Sequence, residues 1–600
     1  MSLLGYGYKL AAKLTPAYLP LMLLRALSTA AQPLLVLFFS ARILNELDGA
    51  RDVSAIILYV SVTVGATFIL SVLSAYLTRE VETDSAYERI YQKIQMMQAE
   101  QFVKMDFAHT EDSSISEVLA RMDTQARGNG LGLMNVYLCS SEAATSLFSL
   151  VFAFLLLFGP LSADVPLTGW PALALYAFFA FGIATGLYLQ ARTQRLSKAL
   201  YAENAKANTS ADYYHEYLKS DKAAKDIRLY DQSPALLTII KSSFNIKPWF
   251  PFFFFFARVQ GFTLGLLALL GGGFYLIAGY GALGGTVIVG GIVQSVGAVT
   301  AFASATGMLV MLLGQLVSNA AYLKPMQDFL SLPDLLVKGA KHVPPPEGHC
   351  YVFEFRNVSF RYPGADEYAL KNLSLTFNAG HRLAVVGLNG SGKTTMIKLL
   401  CRLYDPTEGA ILLDGVDIKE YDYAQYTALF SVVFQDFQLF PLQLGANVAA
   451  GADYDTDRVR ASLEGAGFSE RLGSMPRGLD TMLYKAFDED GTQVSGGEAQ
   501  KIALARALYR NAPFVILDEP TAALDPIAEY EVYSTFDQTI GGKSAVFISH
   551  RLSSCRFCHD IAVFDNGQLV QRGEHDTLLT DEDGLYRKLW DAQAQHYVDS

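Results

Sequence analysis

Apolar positions in the first half of the chain fall in long unbroken runs, not in the stripes of a soluble amphipathic helix. Six runs are each close to the ~20 apolar residues that a bilayer demands: about Ala17–Leu44, Val53–Leu77, Val136–Phe158, Pro171–Leu189, Phe250–Ile277 and Thr286–Leu316. The glycine-rich stretch Gly279–Gly285 is expected to be the turn between the last two. Two long stretches, Arg79–Arg127 and Arg192–Lys247, are polar and rich in helix formers, so they read as helices running on beyond the membrane. They also carry many Lys and Arg, whereas Gly159–Trp170 and Gly279–Gly285 carry none. The positive-inside rule therefore puts the long stretches, and both termini, on the cytoplasmic side.

The texture changes after the proline-rich break Val343-Pro344-Pro345-Pro346-Glu347-Gly348, which cannot continue a helix. Short β-branched runs now alternate with helical patterns, with strands expected at Tyr351–Phe355, Leu383–Val386, Ile411–Leu413 and Phe514–Leu517. That alternation belongs to an α/β domain. The expected organisation is an α-helical transmembrane domain at 1–330, a linker at 331–349 and an α/β domain with a phosphate-binding loop at 350–600.

Composition supports the membrane reading. Only 18% of residues are charged, against the ~25% usual in soluble chains, and the mean hydropathy is +0.23. A net charge of −12 argues against nucleic acid as a partner. The five cysteines are too sparse for a disulfide framework. Cys555-x-x-Cys558-His559 matches a haem-attachment pattern, but it lies in the cytoplasmic half, where such attachment is not expected. Lys9 and Lys13 precede an apolar run too long for a cleaved leader, so it reads as a retained first membrane helix.

The chemistry is concentrated in the second half. Gly387-Leu388-Asn389-Gly390-Ser391-Gly392-Lys393-Thr394 fits G-x-x-x-x-G-K-[ST] once, between an expected strand and the helical stretch Thr395–Leu400. Its glycines let backbone amides reach phosphate oxygens, Lys393 is placed for the β- and γ-phosphates, and the Thr394 hydroxyl for Mg2+. Phe514–Leu517 ends in Asp518-Glu519. The first carboxylate suits Mg2+ and the second suits polarising the attacking water. Between these motifs lies Val494-Ser495-Gly496-Gly497-Glu498-Ala499-Gln500. Ser495 is expected to cap a helix whose N-terminal amides are left bare, forming a second anion site. One nucleotide does not need two such sites in one subunit, so this loop is expected to serve a nucleotide held by another.

In this order the motifs resemble those of half-transporters in the ATP-binding cassette superfamily, with the six-helix exporter-type membrane domain. The resemblance covers Tyr351 to the C-terminus, and what it implies is specific. Tyr362 would stack on adenine, and Asn389, Gly390, Ser391, Gly392 and Thr395 would line the ATP phosphates with Gly387 and Lys393. Gln435 would sense Mg2+ with Thr394 and Asp518, His550 would contact the γ-phosphate, and Asp525 belongs to Ala523-Leu524-Asp525 beside them. The partner would be a second half-transporter subunit, identical or homologous, closing head to tail so that Ser495, Gly496, Gly497 and Glu498 of one subunit complete the site of the other. Family members commonly have Leu and Gln where this chain has Val494 and Glu498, which puts a carboxylate near the γ-phosphate.

These features imply a multi-pass protein of the cell membrane, of the bacterial inner-membrane kind, in which ATP drives alternating access. Ala108–Ser116 and Tyr217–Tyr230, at the midpoints of the two cytoplasmic stretches, are expected to couple the two halves. The implied cargo is a peptide, lipid or amphipathic small molecule. Gln500–Arg506 and Phe487–Gly491 lean towards bacterial peptide and multidrug exporters. Import of a metal chelate and ATP-gated regulation are the alternatives. Arg25, Glu142 and Arg258 are charges at membrane depth, to be read either as functional or as snorkelling side chains. The Phe252–Phe256 run is expected to face lipid.

Overall fold

The computed structural model describes residues 2–158 and 213–598, apart from 83, 120–121, 123–131, 216, 244–248, 284–287, 346–348, 379, 520–542 and 549–551, together with isolated residues between 177 and 200. The chain forms two compact units, Met1–Met105 with Ser113–Leu332, and Asp106–Asp112 with Pro333–Ser600.

The first unit is helical. Its elements are α1 (Leu3–Leu14), α2 (Tyr18–Asp48), α3 (Val53–Glu82) and α4 (Asp84–Lys104). After α5 (Phe107–Thr110), which belongs to the second unit, come α6 (Leu133–Phe158), α7 (Asp221–Leu229), α8 (Ser233–Ser243), α9 (Trp249–Leu283) and α10 (Val289–Leu330). Among the described residues, the helices at Tyr18–Asp48, Val53–Val81, Leu133–Leu157 and Val289–Leu330 are long and apolar enough to cross a bilayer. The expected fifth run lies inside α9, and the fourth falls mostly outside the described residues. Pro33 sits within α2. Its missing N–H is tolerated there because neighbouring groups re-satisfy the freed carbonyl in a membrane helix.

The expected turn at Gly279–Gly285 is corrected over Gly279–Leu283, which lie inside α9, while Gly284 and Gly285 lie outside the described residues. α9 runs through Gly279 to Leu283, and α10 begins after Ile288. In apolar surroundings no water competes for backbone hydrogen bonds, so glycines that would break a soluble helix are carried inside it. At 42 residues, α10 is about 63 Å long at the ordinary rise, about twice the hydrocarbon thickness.

The core of this unit joins α1, α2, α6 and α10 through Tyr18, Met22, Val136, Tyr137, Leu323, Met326 and Phe329. Arg25 of α2 is buried among them and does not snorkel. Its guanidinium donates to Ser141 (2.9 Å) and Thr78 (3.3 Å) and lies 3.6 Å from the half-exposed Glu142 carboxylate. Arg258 is exposed, as are Phe253, Phe254 and Phe256. The end of α7 also presents Leu229 and Tyr230, within the expected coupling segment, as exposed side chains.

The second unit is α/β. The strands β1 (Val352–Phe360), β2 (Leu370–Asn378), β4 (Glu408–Leu413) and β5 (Val416–Asp417) form an antiparallel sheet in the order β2-β1-β4-β5. A six-stranded sheet runs β10-β9-β3-β8-β7-β6, built from β3 (Arg382–Gly387), β6 (Phe430–Val433), β7 (Phe514–Asp518), β8 (Ser544–Ile548), β9 (Asp560–Asp565) and β10 (Gln568–Gly573). Only β10 is antiparallel to its neighbour. A parallel sheet covered on both faces needs continuous apolar strands, and β7 and β8 are buried at every position.

One core packs β3, β7 and β8 with the antiparallel sheet and α11 (Lys393–Leu400), through Phe353, Phe355, Val385, Ile397, Leu400 and Ile516. The next helices are α12 (Tyr423–Thr427), α13 (Leu444–Ala449), α14 (Thr456–Gly465), α15 (Ser469–Gly473) and α16 (Gly496–Arg510). A second core sets Val448, Val459, Leu463, Ile502 and Leu504 of α13, α14 and α16 against Val433, Val515 and Leu517. Helices α17 (His575–Leu579) and α18 (Leu585–Val598) close the far side.

The stretch expected as a linker is tied down along part of its length. Lys341 N–H donates to Glu420 O (2.9 Å) and Val343 N–H to the Gln425 side chain (3.1 Å). Segment Asp106–Asp112 is likewise part of this unit. The Asp106 carboxylate accepts from the amides of Leu335 and Leu336, and Phe107 and Ala108 pack on the first core.

Candidate functional site

Three of the motif segments of the second half lie at the carboxyl ends of parallel strands among the described residues. The phosphate-binding loop follows β3, Gln435 follows β6 and Glu519 follows β7, while His550 comes two residues after the end of β8. Open α/β sheets bind ligands at this edge, because loops and helix N-termini converge there. His550 and Asp525 lie outside the described residues.

The loop after β3 is built for close backbone approach. A side chain at Gly387 would place its Cβ 2.2 Å from Phe564 O. Gly392, the N-cap of α11, has φ of +100° and would clash with Leu370 and Ala369 O. The cavity over this loop has a volume of about 600 Å3 and is lined by Tyr362, Ala369, Asn389–Thr395, Gln435 and Glu519. That volume is within the range of small-molecule sites.

Lys393 is buried and folded back, its Nζ donating to Gly387 O and Leu388 O at 3.0 Å each. Burial holds its pKa below the ordinary lysine value, opposed by the charges of Glu519 and Asp518. Gln435 Nε2 donates to Glu519 Oε2 at 2.9 Å, and Gln500 Nε2 lies 3.4 Å from Glu519 O. Tyr362 meets Phe360 and Tyr404 edge-on, and its hydroxyl is 3.1 Å from Thr395 Oγ1.

Two buried polar atoms, Ser391 Oγ in this cavity wall and Asp518 Oδ1 on the residue before Glu519, have no hydrogen-bond partner among the described residues. Leaving such an atom unsatisfied costs about 1–3 kcal/mol. These atoms, beside a lysine and the Thr394 hydroxyl, fit a phosphate chain and a hard divalent cation with oxygen ligands.

Asp518 is 1% exposed. Burial pushes its carboxyl up to about 6; the Thr394 hydrogen bond and Lys393 oppose this, and the Glu519 charge adds to it. The protonated form is thus favoured in the folded, ATP-free chain. That preference stabilises fully below about pH 4 and is lost as the pH rises through 6. Asp518→Asn, neutral at every pH, is expected to raise the melting temperature of the ATP-free protein at pH 8 by a few degrees, with the gain shrinking towards pH 5. The upper bound is roughly 3 kcal/mol, from two pKa units at about 1.4 kcal/mol each. A variant melting with the wild type at pH 8 in a thermal-shift assay would contradict this account.

The signature loop corrects an expectation. Its helix does start at Gly496 with Ser495 as N-cap, but the first-turn amides are not all bare. Ser495 Oγ accepts from Glu498 N at 3.3 Å, and Glu498 Oε2 accepts from Ser495 N at 2.7 Å. This is a capping box, which S-x-x-E announces in sequence. Glu498, expected beside the nucleotide, has its carboxylate turned back onto its own loop, with Oε1 2.7 Å from Arg471 Nε. The Gly496 and Gly497 amides have no acceptor among the described residues.

Sequence reasoning missed a group that reaches the site from Asp106–Asp112. Lys398, on α11, donates to Glu111 Oε1 at 2.7 Å, and its Nζ also lies 5.5 Å from the Tyr362 ring centroid. The Tyr404 hydroxyl donates to Glu111 Oε2. Burial raises the Glu111 pKa, yet the Lys398 and Tyr404 hydrogen bonds and the Lys398 charge outweigh it and hold it below the usual value. No local pattern pairs residues 287 positions apart.

Residues 370–522 match the family model described as "ABC transporter". That segment is an ATP-binding cassette domain. The chain is 29% identical to the subtilin transport ATP-binding protein SpaT of Bacillus subtilis, over 94% of this chain and 89% of that one. The ATP-dependent lipid A-core flippase of Burkholderia orbicola is 41% identical over 40% of each chain, so this chain spans only part of such flippases in the match. A bacterial Atm1-family ABC exporter with ATP bound has the same fold, with a TM-score of 0.75 and 24% identity over 97% of this chain and 98% of that one. The chain is an ABC half-transporter of the exporter type, a membrane protein whose ATPase domain is cytoplasmic and couples ATP hydrolysis to transport.

Proposed function

We propose that this chain pairs with a second half-transporter subunit, closes head to tail over two ATP molecules, and uses their hydrolysis to export an amphipathic cargo by alternating access. The observation that carries the dimer is the contrast between two loops. The β3 loop has a complete phosphate cavity within one subunit, whereas the Ser495–Gly497 loop leaves the Gly496 and Gly497 amides and the Ser495 hydroxyl proton without an acceptor among the described residues.

In the closed state Lys393 leaves the carbonyls of Gly387 and Leu388 for phosphate oxygens, and Ser391 Oγ gains its missing partner. Glu519, oriented by Gln435, accepts a proton from the attacking water. Asp518, Thr394 and Gln435 would hold Mg2+, which when bound neutralises charge on the phosphates. The half-exposed Tyr362 ring provides an apolar wall for the adenine. The Asp106–Asp112 segment, gripped through Glu111, Lys398 and Tyr404, would pass closure on to the membrane helices.

A peptide is the favoured cargo class, because the relative covered over most of its length is named for transport of subtilin. The experiment is transport in inverted membrane vesicles with a panel of labelled amphipathic peptides and lipids. ATP-dependent accumulation of a peptide is the expected result. ATP-dependent loss of preloaded cargo would reverse the direction, and movement of lipid alone would replace the cargo.

A further inference from the structure

The signature loop holds a carboxylate where the nucleotide it is proposed to meet is strongly anionic. Glu498 is the third residue of α16, in the same first turn as the Gly496 and Gly497 amides. Its charge therefore stands within several ångströms of any phosphate those amides accept. A like charge at that distance opposes anion binding, all the more as closure removes water. A neutral glutamine could make the same cap, because its carbonyl oxygen accepts a hydrogen bond equally well.

The structure answers this charge with one residue. Arg471, on α15, sets its guanidinium Nε 2.7 Å from Glu498 Oε1, while Glu498 Oε2 caps Ser495 N. The Nε–H is not aimed to form a hydrogen bond, so the contact acts through charge. A second cation ties the same two regions, with Lys501 Nζ donating to Gly467 O at 3.0 Å. Arg471 Nη1 also reaches Ser474 Oγ at 3.2 Å, which anchors it to its own turn. Both partners are about two-thirds buried, with side-chain exposures of 37% and 27%. Their interaction is therefore screened less than that of a surface pair.

We infer that Arg471 is a positioning residue for the signature loop: it neutralises Glu498, keeps the carboxylate turned onto Ser495 N, and so allows a charged cap to serve at a site for the partner subunit's γ-phosphate. Ser495 Oγ, held as acceptor for Glu498 N, keeps its hydroxyl proton for a phosphate oxygen. The inference rests on the proposal that this loop completes the partner's site.

The experiment measures ATPase kinetics of the full-length transporter in lipid nanodiscs. Arg471→Met is expected to raise KM for ATP on the order of tenfold, with a smaller change in kcat, because an unpaired carboxylate weakens closure over ATP. Arg471→Lys keeps the charge and is expected to stay within a few-fold of wild type. Glu498→Gln removes the carboxylate charge and supplies the reference KM for the double variant. The decisive variant is Glu498→Gln with Arg471→Met, expected to regain the KM of Glu498→Gln alone. If the double variant keeps the raised KM, or Arg471→Met leaves KM unchanged, the charge-compensation role is overturned. Should Arg471→Met alone not fold, Arg471→Gln, which also removes the charge beside an intact Glu498, takes its place in the same comparison. Ser495→Ala separates the underlying proposal: full ATPase activity in that variant would remove the loop from the partner's site whatever Arg471 does.

Discussion

Glu519→Gln is expected to bind ATP with near wild-type affinity and to lose steady-state hydrolysis by about 10²–10⁴-fold, the usual worth of a general base. The substitution preserves shape. Glu519 adopts a left-handed backbone (φ +51°) directly after β7, and its N–H donates to Ile548 O at 3.0 Å. These features fix the side chain's origin without involving its carboxylate. An amide at this position can still pair with Gln435, now 2.9 Å from Glu519 Oε2, but it cannot take a proton from water. The loss corresponds to roughly 3–5 kcal/mol in the barrier. Phosphate release and binding of a fluorescent ATP analogue, measured on one preparation, check the two halves of the claim. Undiminished ATPase would remove Glu519 from the reaction.

Lys393→Ala is expected to act one step earlier, weakening ATP binding by at least about 100-fold. Truncating one partner of a buried, hydrogen-bonded charge pair costs about 2–5 kcal/mol, and Lys393 has two jobs to lose. It is the cation of the phosphate cavity, and in the ATP-free chain it satisfies Gly387 O and Leu388 O. Removing it takes a donor from each carbonyl, with Leu388 O keeping the Ser391 N–H (3.2 Å), and leaves Asp518 and Glu519 without the nearby charge that opposes them. Equilibrium binding of the analogue reads the effect directly. An affinity within threefold of wild type would show that the loop amides alone hold the phosphates.

What could be read in the sequence had local causes. The phosphate loop has a fixed spacing because its backbone must wrap an anion, and the strands β3 and β7 announce themselves by apolar runs that are buried from Leu383 to Gly387 and from Phe514 to Asp518. Gln435 and Glu519 are legible as ends of such strands, although only the fold brings them within 2.9 Å. Errors arose where solvent or distance decides. Gly279–Gly285 looks like a turn by the habits of water-exposed chains, but α9 passes through Gly279 to Leu283. The cap that Glu498 makes on Ser495 N is encoded in S-x-x-E, whereas the Arg471 that faces its carboxylate comes from another element. Arg471 and Glu111 carry no local signal, since each gains meaning only from a partner on another element.

The grip on Glu111 bears on how the protein is made. Lys398 lies 287 residues downstream of Glu111, and Tyr404 lies 293 downstream. At ~5–20 residues per second, the ribosome delivers Lys398 roughly 15–60 s after Glu111. For that interval Phe107, Ala108 and the Asp106 carboxylate wait outside the core that will receive them. The ATPase domain is thus finished by a short stretch synthesised long before it. A fragment begun at the proline-rich break would lack that stretch, and the surface around Tyr404 and Lys398 would be left to water.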